Sequence, residues 1–175
     1  MSEHSTTIGF SRSWLIYGGT PTLFISTFLL CIFIEHNYKI KKIFSSSSYY
    51  HKTIRFLISY IVGFVAVRNV LDTLSKMRTT GVLHSKATVF IIHNGCFNEC
   101  RNPIYSYIVM LYFSLAVIYN SRCIFAGGFF CLLYLSLLVV PAEEEFLNEH
   151  FGKEYQKLIQ KTPCRWCFYP MFCSA

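Results

Sequence analysis

Two short stretches of this chain concentrate residues able to grip a charged, aromatic ligand. The first is Gly95-Cys96-Phe97-Asn98-Glu99-Cys100-Arg101-Asn102-Pro103-Ile104-Tyr105. The second is Pro141-Ala142-Glu143-Glu144-Glu145-Phe146-Leu147, followed by Phe151-Gly152-Lys153-Glu154-Tyr155. One sets a cation and an aromatic where an apolar run begins, and the other sets adjacent carboxylates where the next apolar run ends. A carboxylate holds an ammonium or a ribose diol, while an arginine or a helix N-terminus holds a carboxylate. An aromatic ring stacks on a purine or attracts a sulfonium. Those are the groups of S-adenosylmethionine, although the same residue types would suit other amphiphiles. Taken singly, each feature has a plainer reading. Arg101 alone reads as a basic residue snorkelling at a membrane interface. The glutamate run alone reads as a solvated first helical turn, and Phe97 and Tyr105 as belt aromatics.

The elements that must position these stretches follow from composition. The chain has 175 residues, of which 53% are hydrophobic, 18% aromatic and 14% charged, with a mean hydropathy of +0.40. A soluble domain carries about 25% charged residues to face water, so the pattern predicts an all-α integral membrane protein. Long apolar runs mean helices, because a backbone in lipid must satisfy its own hydrogen bonds. Roughly four transmembrane helices are expected, at 14–34, 54–71, 104–119 and 124–140. Trp14 and Tyr17 would sit in an interfacial belt. The turn Asn120-Ser121-Arg122 makes the last two spans an antiparallel helical hairpin, which carries both chemical stretches to one membrane face. Pro141 is expected to end the fourth span, with 142–161 restarting as an amphipathic cytosolic helix. The organisation predicted is a polar tail (1–13), an N-terminal helix pair (14–76) and a C-terminal core (77–175).

The net charge of +7 sits mainly in loops, where cations orient helices and meet headgroups, so it indicates membrane topology and no nucleic acid. Arg12, Lys76, Arg78, Lys86, Arg101, Lys153, Lys157, Lys161 and Arg165 outnumber Lys39, Lys41, Lys42, Lys52, Arg55 and Arg122 on the opposite side. This bias puts the connector and C-terminal tail in the cytosol. Cys31 and Cys131 lie inside apolar runs and read as small hydrophobes. Cys164-Arg-Trp-Cys167 lacks a second pair of that spacing, and no histidine has ligand spacing, so no metal is expected. Acylation of Cys164, Cys167 or Cys173 is a weaker reading.

The two stretches together resemble the isoprenylcysteine carboxyl methyltransferase and phospholipid methyltransferase superfamily, particularly its short bacterial-type members. Gly95, Phe97, Arg101, Asn102, Pro103 and Tyr105 fill a motif of the form G-x-[YF]-x-x-x-R-[HN]-P-x-Y. Glu143, Glu144, Leu147, Phe151, Gly152 and Tyr155 fill E-E-x-x-L-x-x-x-F-G-x-x-Y, and Arg165-Trp166 resembles the family's closing pair. Two spaced motifs flanking a hairpin form a joint signal that neither gives alone.

The resemblance implies an S-adenosylmethionine-dependent membrane methyltransferase acting on a lipid or a prenylated protein or cysteine. It implies cofactor contacts from Val89, Ile91, Ile92, Gly95, Phe97, Asn102, Pro103 and Tyr105. Glu143 would hold the cofactor's polar end with Glu144 in support, and Arg101 completes the catalytic group. Departures also appear: Asn102 for the commoner histidine, Leu158 for a second tyrosine, and Tyr107 for a small residue. Val139 stands where the eukaryotic prenylcysteine enzymes carry a substrate arginine. Arg68, within the second span, is the candidate substrate residue in its place, since intramembrane charges tend to be functional. If the source is eukaryotic, the family expectation is the endoplasmic reticulum, with the site facing the cytosol. Methyl transfer is an in-line displacement that a dry, oriented site favours. A carboxylate acceptor needs no base, whereas a phospholipid amine must first be neutral. Protein-S-isoprenylcysteine O-methylation is the closest named activity. Phospholipid N-methylation and a non-catalytic membrane adaptor are the alternatives.

Overall fold

The computed structural model describes residues 20–38, 40, 42–44, 49–79 and 100–167, and among them the regular structure is helical throughout. Helix α1 is Thr20–Tyr38, α2 Tyr49–Thr79, α3 Pro103–Ile118 and α4 Arg122–Tyr134. A π-helical turn, Leu135–Val139, joins α4 to α5 (Val140–Phe151), and α6 is Lys153–Lys161. Trp14 and Tyr17 lie outside the described residues.

Helix α3 lies between α2 and α4, and α1 packs on α4. Small residues set these approaches. A Cβ on Gly63 of α2 would fall 2.6 Å from Ser114 Oγ of α3, and that hydroxyl donates to Ser59 O at 2.7 Å. Gly127 brings α4 within reach of Cys31 and Tyr112, where a Cβ would meet their side chains at 2.8 and 3.0 Å. Without a hydrophobic drive between helices in lipid, close backbone approach and interhelix hydrogen bonds are what hold a bundle. The core combines Phe24 and Cys31 of α1, Val109, Tyr112 and Ala116 of α3, and Ile124 and Cys131 of α4. Outward faces carry large apolar side chains, with Phe33 63%, Phe64 61% and Leu137 69% exposed. Such a surface suits lipid and not water.

Among the described residues, two helices are long and apolar enough to cross a bilayer, Tyr49–Ser75 and Arg122–Glu149. Of the other spans expected, α3 has 16 residues, short for a bilayer crossing, and α1 has 19 residues but is not one of these two. Helix α2 overruns the expected span at both ends, because polar residues continue a helix that hydropathy alone truncates.

The expectation that Pro141 ends the fourth helix is wrong. Helical structure continues from Arg122 to Phe151. Proline has no N–H to donate, and its ring crowds the carbonyl four residues back. The turn just before it is widened: Val140 N–H reaches back five residues to Leu135 O. A π turn absorbs the mismatch, so the axis carries Glu143 and Glu144 onward without a break. The break comes later, at Gly152, whose φ of 47° favours glycine. The expected helix over 142–161 is therefore two helices.

At the other end of the pair, α3 turns into α4 through Asn120, at φ 54°. Ser121 then caps α4, its hydroxyl accepting from Ile124 N at 3.0 Å.

Candidate active site

Helix α3 starts at Pro103, where a missing N–H costs nothing. The residues just before it pair with the segment after α6. Arg101 N donates to Cys164 O at 2.9 Å, and Asn102 N to Arg165 O at 3.2 Å. Asn102 Nδ2 donates to the same Arg165 carbonyl at 3.1 Å. Ser106 Oγ donates to Asn102 O and accepts from Cys167 N at 3.0 Å. Cys100 and Cys167 form a disulfide across this seam, and Trp166 is buried in the core. The tail is thereby fastened over the N-terminus of α3.

This fastening carries Arg165 onto Glu144. Arg165 Nη2 lies 2.6 Å from Glu144 Oε2, and its Nε donates to Oε1 at 3.2 Å. The pair is forked, the geometry a guanidinium offers a carboxylate. Arg101 Nη2 approaches Glu144 Oε1 at 3.4 Å. Glu144 is thus gripped from two sides, with side chains 12% (Arg101), 16% (Glu144) and 38% (Arg165) exposed. The neighbouring Glu143 accepts a hydrogen bond from Tyr105 of α3. Among the described residues, two buried atoms of this cluster have no hydrogen-bond partner, Glu143 Oε2 and Arg101 Nε.

Tyr155 of α6 closes the cluster at 2% exposure. Its phenol is pushed up to about 12, first by burial and then by the Glu144 carboxylate, with Arg101 opposing. It stays a neutral hydroxyl. Gly152 bends the chain so that α6 turns this residue inward while its polar residues face out.

Among the residues singled out from sequence, the structure brings Arg101, Asn102, Pro103, Tyr105, Glu143 and Glu144 to one end of the bundle. Val89, Ile91, Ile92, Gly95 and Phe97 lie outside the described residues. Arg68 is exposed on α2. Val139 lies fully buried in the core. The reading of Cys167 as an acylation candidate is superseded by its bond to Cys100. Cys164 is buried. Among the described residues no group of histidine, cysteine or acidic side chains is arranged to hold a metal. Sequence reasoning missed the roles of Arg165 and Tyr155 in this cluster. Both belong to motifs already marked as family-like, which was the available signal.

No curated protein and no solved structure matches this chain. Residues 53–154 match the phospholipid methyltransferase family. That match covers more than half of the chain and contains Arg101, Tyr105, Glu143 and Glu144. The chain therefore belongs to the phospholipid methyltransferase family, whose members are membrane methyltransferases acting on lipid-type acceptors.

Proposed function

We propose that the Arg101–Glu143–Glu144 cluster binds S-adenosylmethionine and that this chain methylates a phospholipid amine at the membrane face. The observation that carries the reading is the pair of buried, unpartnered atoms of opposite character, Glu143 Oε2 and Arg101 Nε. A buried polar atom left unpaired costs about 1–3 kcal/mol, so a ligand with one cationic and one anionic group would relieve both. Glu143 would hold the ligand's ammonium or ribose, and Arg101 its carboxylate. Asn102, Pro103 and Tyr105 would wrap it from the start of α3. When bound, S-adenosylmethionine supplies a methyl group on a sulfonium. Glu144, held by Arg101 and Arg165, keeps Arg101 in place, and the fastened tail excludes water from that side.

Two features support the phospholipid amine as acceptor. The chain matches the phospholipid methyltransferase family. Val139, which stands where a prenylcysteine enzyme has its substrate arginine, is apolar and 0% exposed. It offers no cation to a carboxylate acceptor. The second reading, prenylcysteine O-methylation in a multi-pass protein with a cytosolic site, draws on Arg68, a cation exposed within α2.

The full chain in nanodiscs with methyl-labelled S-adenosylmethionine separates the two. Label recovered in phosphatidylethanolamine products supports the proposal. Label recovered only in a farnesylcysteine acceptor replaces it with the second reading, and label in neither contradicts both.

A further inference from the structure

At the end of the bundle far from the carboxylate cluster, a cavity of about 550 Å³ opens among Tyr49, Lys52, Thr53 and Arg55 of α2 and Asn120 of the α3–α4 turn. A second, apolar groove of about 440 Å³ runs below it, lined by Ile58, Val62, Met110, Phe113, Phe129 and Leu132. The two adjoin, since Val117 lines both. From Pro103 to Ile118 helix α3 rises about 22 Å, so this basic mouth and the carboxylate cluster lie at opposite ends of it.

The mouth is built, not incidental. Asn120 clamps the 42–44 loop: its Oδ1 accepts from Phe44 N at 2.8 Å, and its Nδ2 donates to Phe44 O at 3.2 Å. Phe44 in turn lies under the Arg55 guanidinium, 4.1 Å from ring centroid to Cζ. Arg55 Nε is spent on His51 O, which leaves its two terminal nitrogens without a partner among the described residues. Lys52 is exposed and makes no ion pair among them. The nearby acid, Glu35, is already engaged by Lys42 at 3.1 Å. Two uncompensated cations therefore stand over an apolar trough.

We propose that this composite groove is a phospholipid-binding site distinct from the methyl-transfer site. Lys52 and Arg55 hold the lipid phosphate, and one acyl chain lies along Ile58, Val62, Met110 and Phe113. Charge and length both fit. A guanidinium and an ammonium are the side chains that bind phosphate. From Lys52 to Val62 helix α2 descends about 15 Å, half of the roughly 30 Å hydrocarbon core and therefore one leaflet. The lipid bound here is a resident ligand that seals α2 against the α3–α4 pair.

Native mass spectrometry of the full chain, titrated in detergent with phosphatidylglycerol, tests this directly. The wild type is expected to retain one lipid, and the double variant Lys52→Ala with Arg55→Ala to bind it at least about tenfold more weakly. Val62→Trp, which fills the trough, should weaken binding without touching the cations. Arg122→Ala removes an exposed cation at the same end but outside the mouth, and should bind as wild type does. The thermal transition of each variant reports its folding, and if Val62→Trp does not fold, the charge variant decides. Equal lipid binding by the charge variant, an equal loss in Arg122→Ala, or no lipid retained by the wild type would each overturn the proposal.

Discussion

At the scale of single residues, Glu144 works as a hub, while Glu143 is held by Tyr105 and keeps one oxygen, Oε2, unpaired. Arg165 holds both oxygens of Glu144, and its own main-chain carbonyl is held by Asn102. Arg165→Ala removes the fork but keeps the backbone seam. With the guanidinium partly exposed, a loss of about 1 kcal/mol is expected, or about 3 °C in melting temperature. Arg165→Lys should recover only part of it, because an ammonium cannot fork. Wild-type recovery by the lysine variant in thermal unfolding would refute the forked geometry. Tyr155 yields a pH prediction. Its folded-state value lies near 12, above the ordinary value of about 10, so folding favours the neutral phenol. That contribution is fully present below about pH 10 and fades as pH rises toward 12. Tyr155→Phe should flatten this part of the alkaline stability profile. An unchanged profile would show that the phenol is not buried beside Glu144.

At the scale of elements, the bundle depends on how closely α2 approaches α3. Gly63→Ala puts a methyl 2.6 Å from Ser114 Oγ, which is fixed by its bond to Ser59 O. Overpacking of this kind costs about 1–3 kcal/mol. Ser114→Ala alone forfeits one interhelix hydrogen bond, about 0.6 kcal/mol in lipid. The double variant should be more stable than the sum of the two losses, because removing Oγ makes room for the new methyl. Additive losses in a double-mutant cycle would show that the helices do not meet there. The apolar runs made these helices legible in the sequence, but their ends were not. Pro141 misled because a π turn upstream lets a proline ride inside a continuous helix, and no local composition marks that turn. Gly152 was legible as a motif glycine, but its positive φ, which splits the expected helix in two, was not.

At the scale of the whole molecule, α3 links two ends of unlike chemistry: a carboxylate–guanidinium cluster at one and a basic, lipid-sized mouth at the other. Arg101 and the paired glutamates could be read from motif spacing, because two adjacent helices bring their joined segments together whatever fills the core. The grip of Arg165 could not. It depends on the tail crossing back to residues 100–102 and being fastened there by Cys167 to Cys100, and no periodicity encodes so long a return. The same holds for the basic mouth, whose Arg55 is aimed by Phe44 and whose Phe44 is clamped by Asn120.

On the proposal above, the buried, unpartnered atoms of Glu143 and Arg101 hold the zwitterionic amino-acid end of one nucleoside ligand. Calorimetric titration of the detergent-purified full chain with S-adenosylmethionine tests it most directly. Wild type should bind one equivalent, and Glu143→Gln and Arg101→Ala should each weaken binding at least about tenfold, with Lys153→Ala unchanged. A folded wild type that takes up no S-adenosylmethionine, or a Glu143→Gln variant that binds it as tightly, would contradict the account.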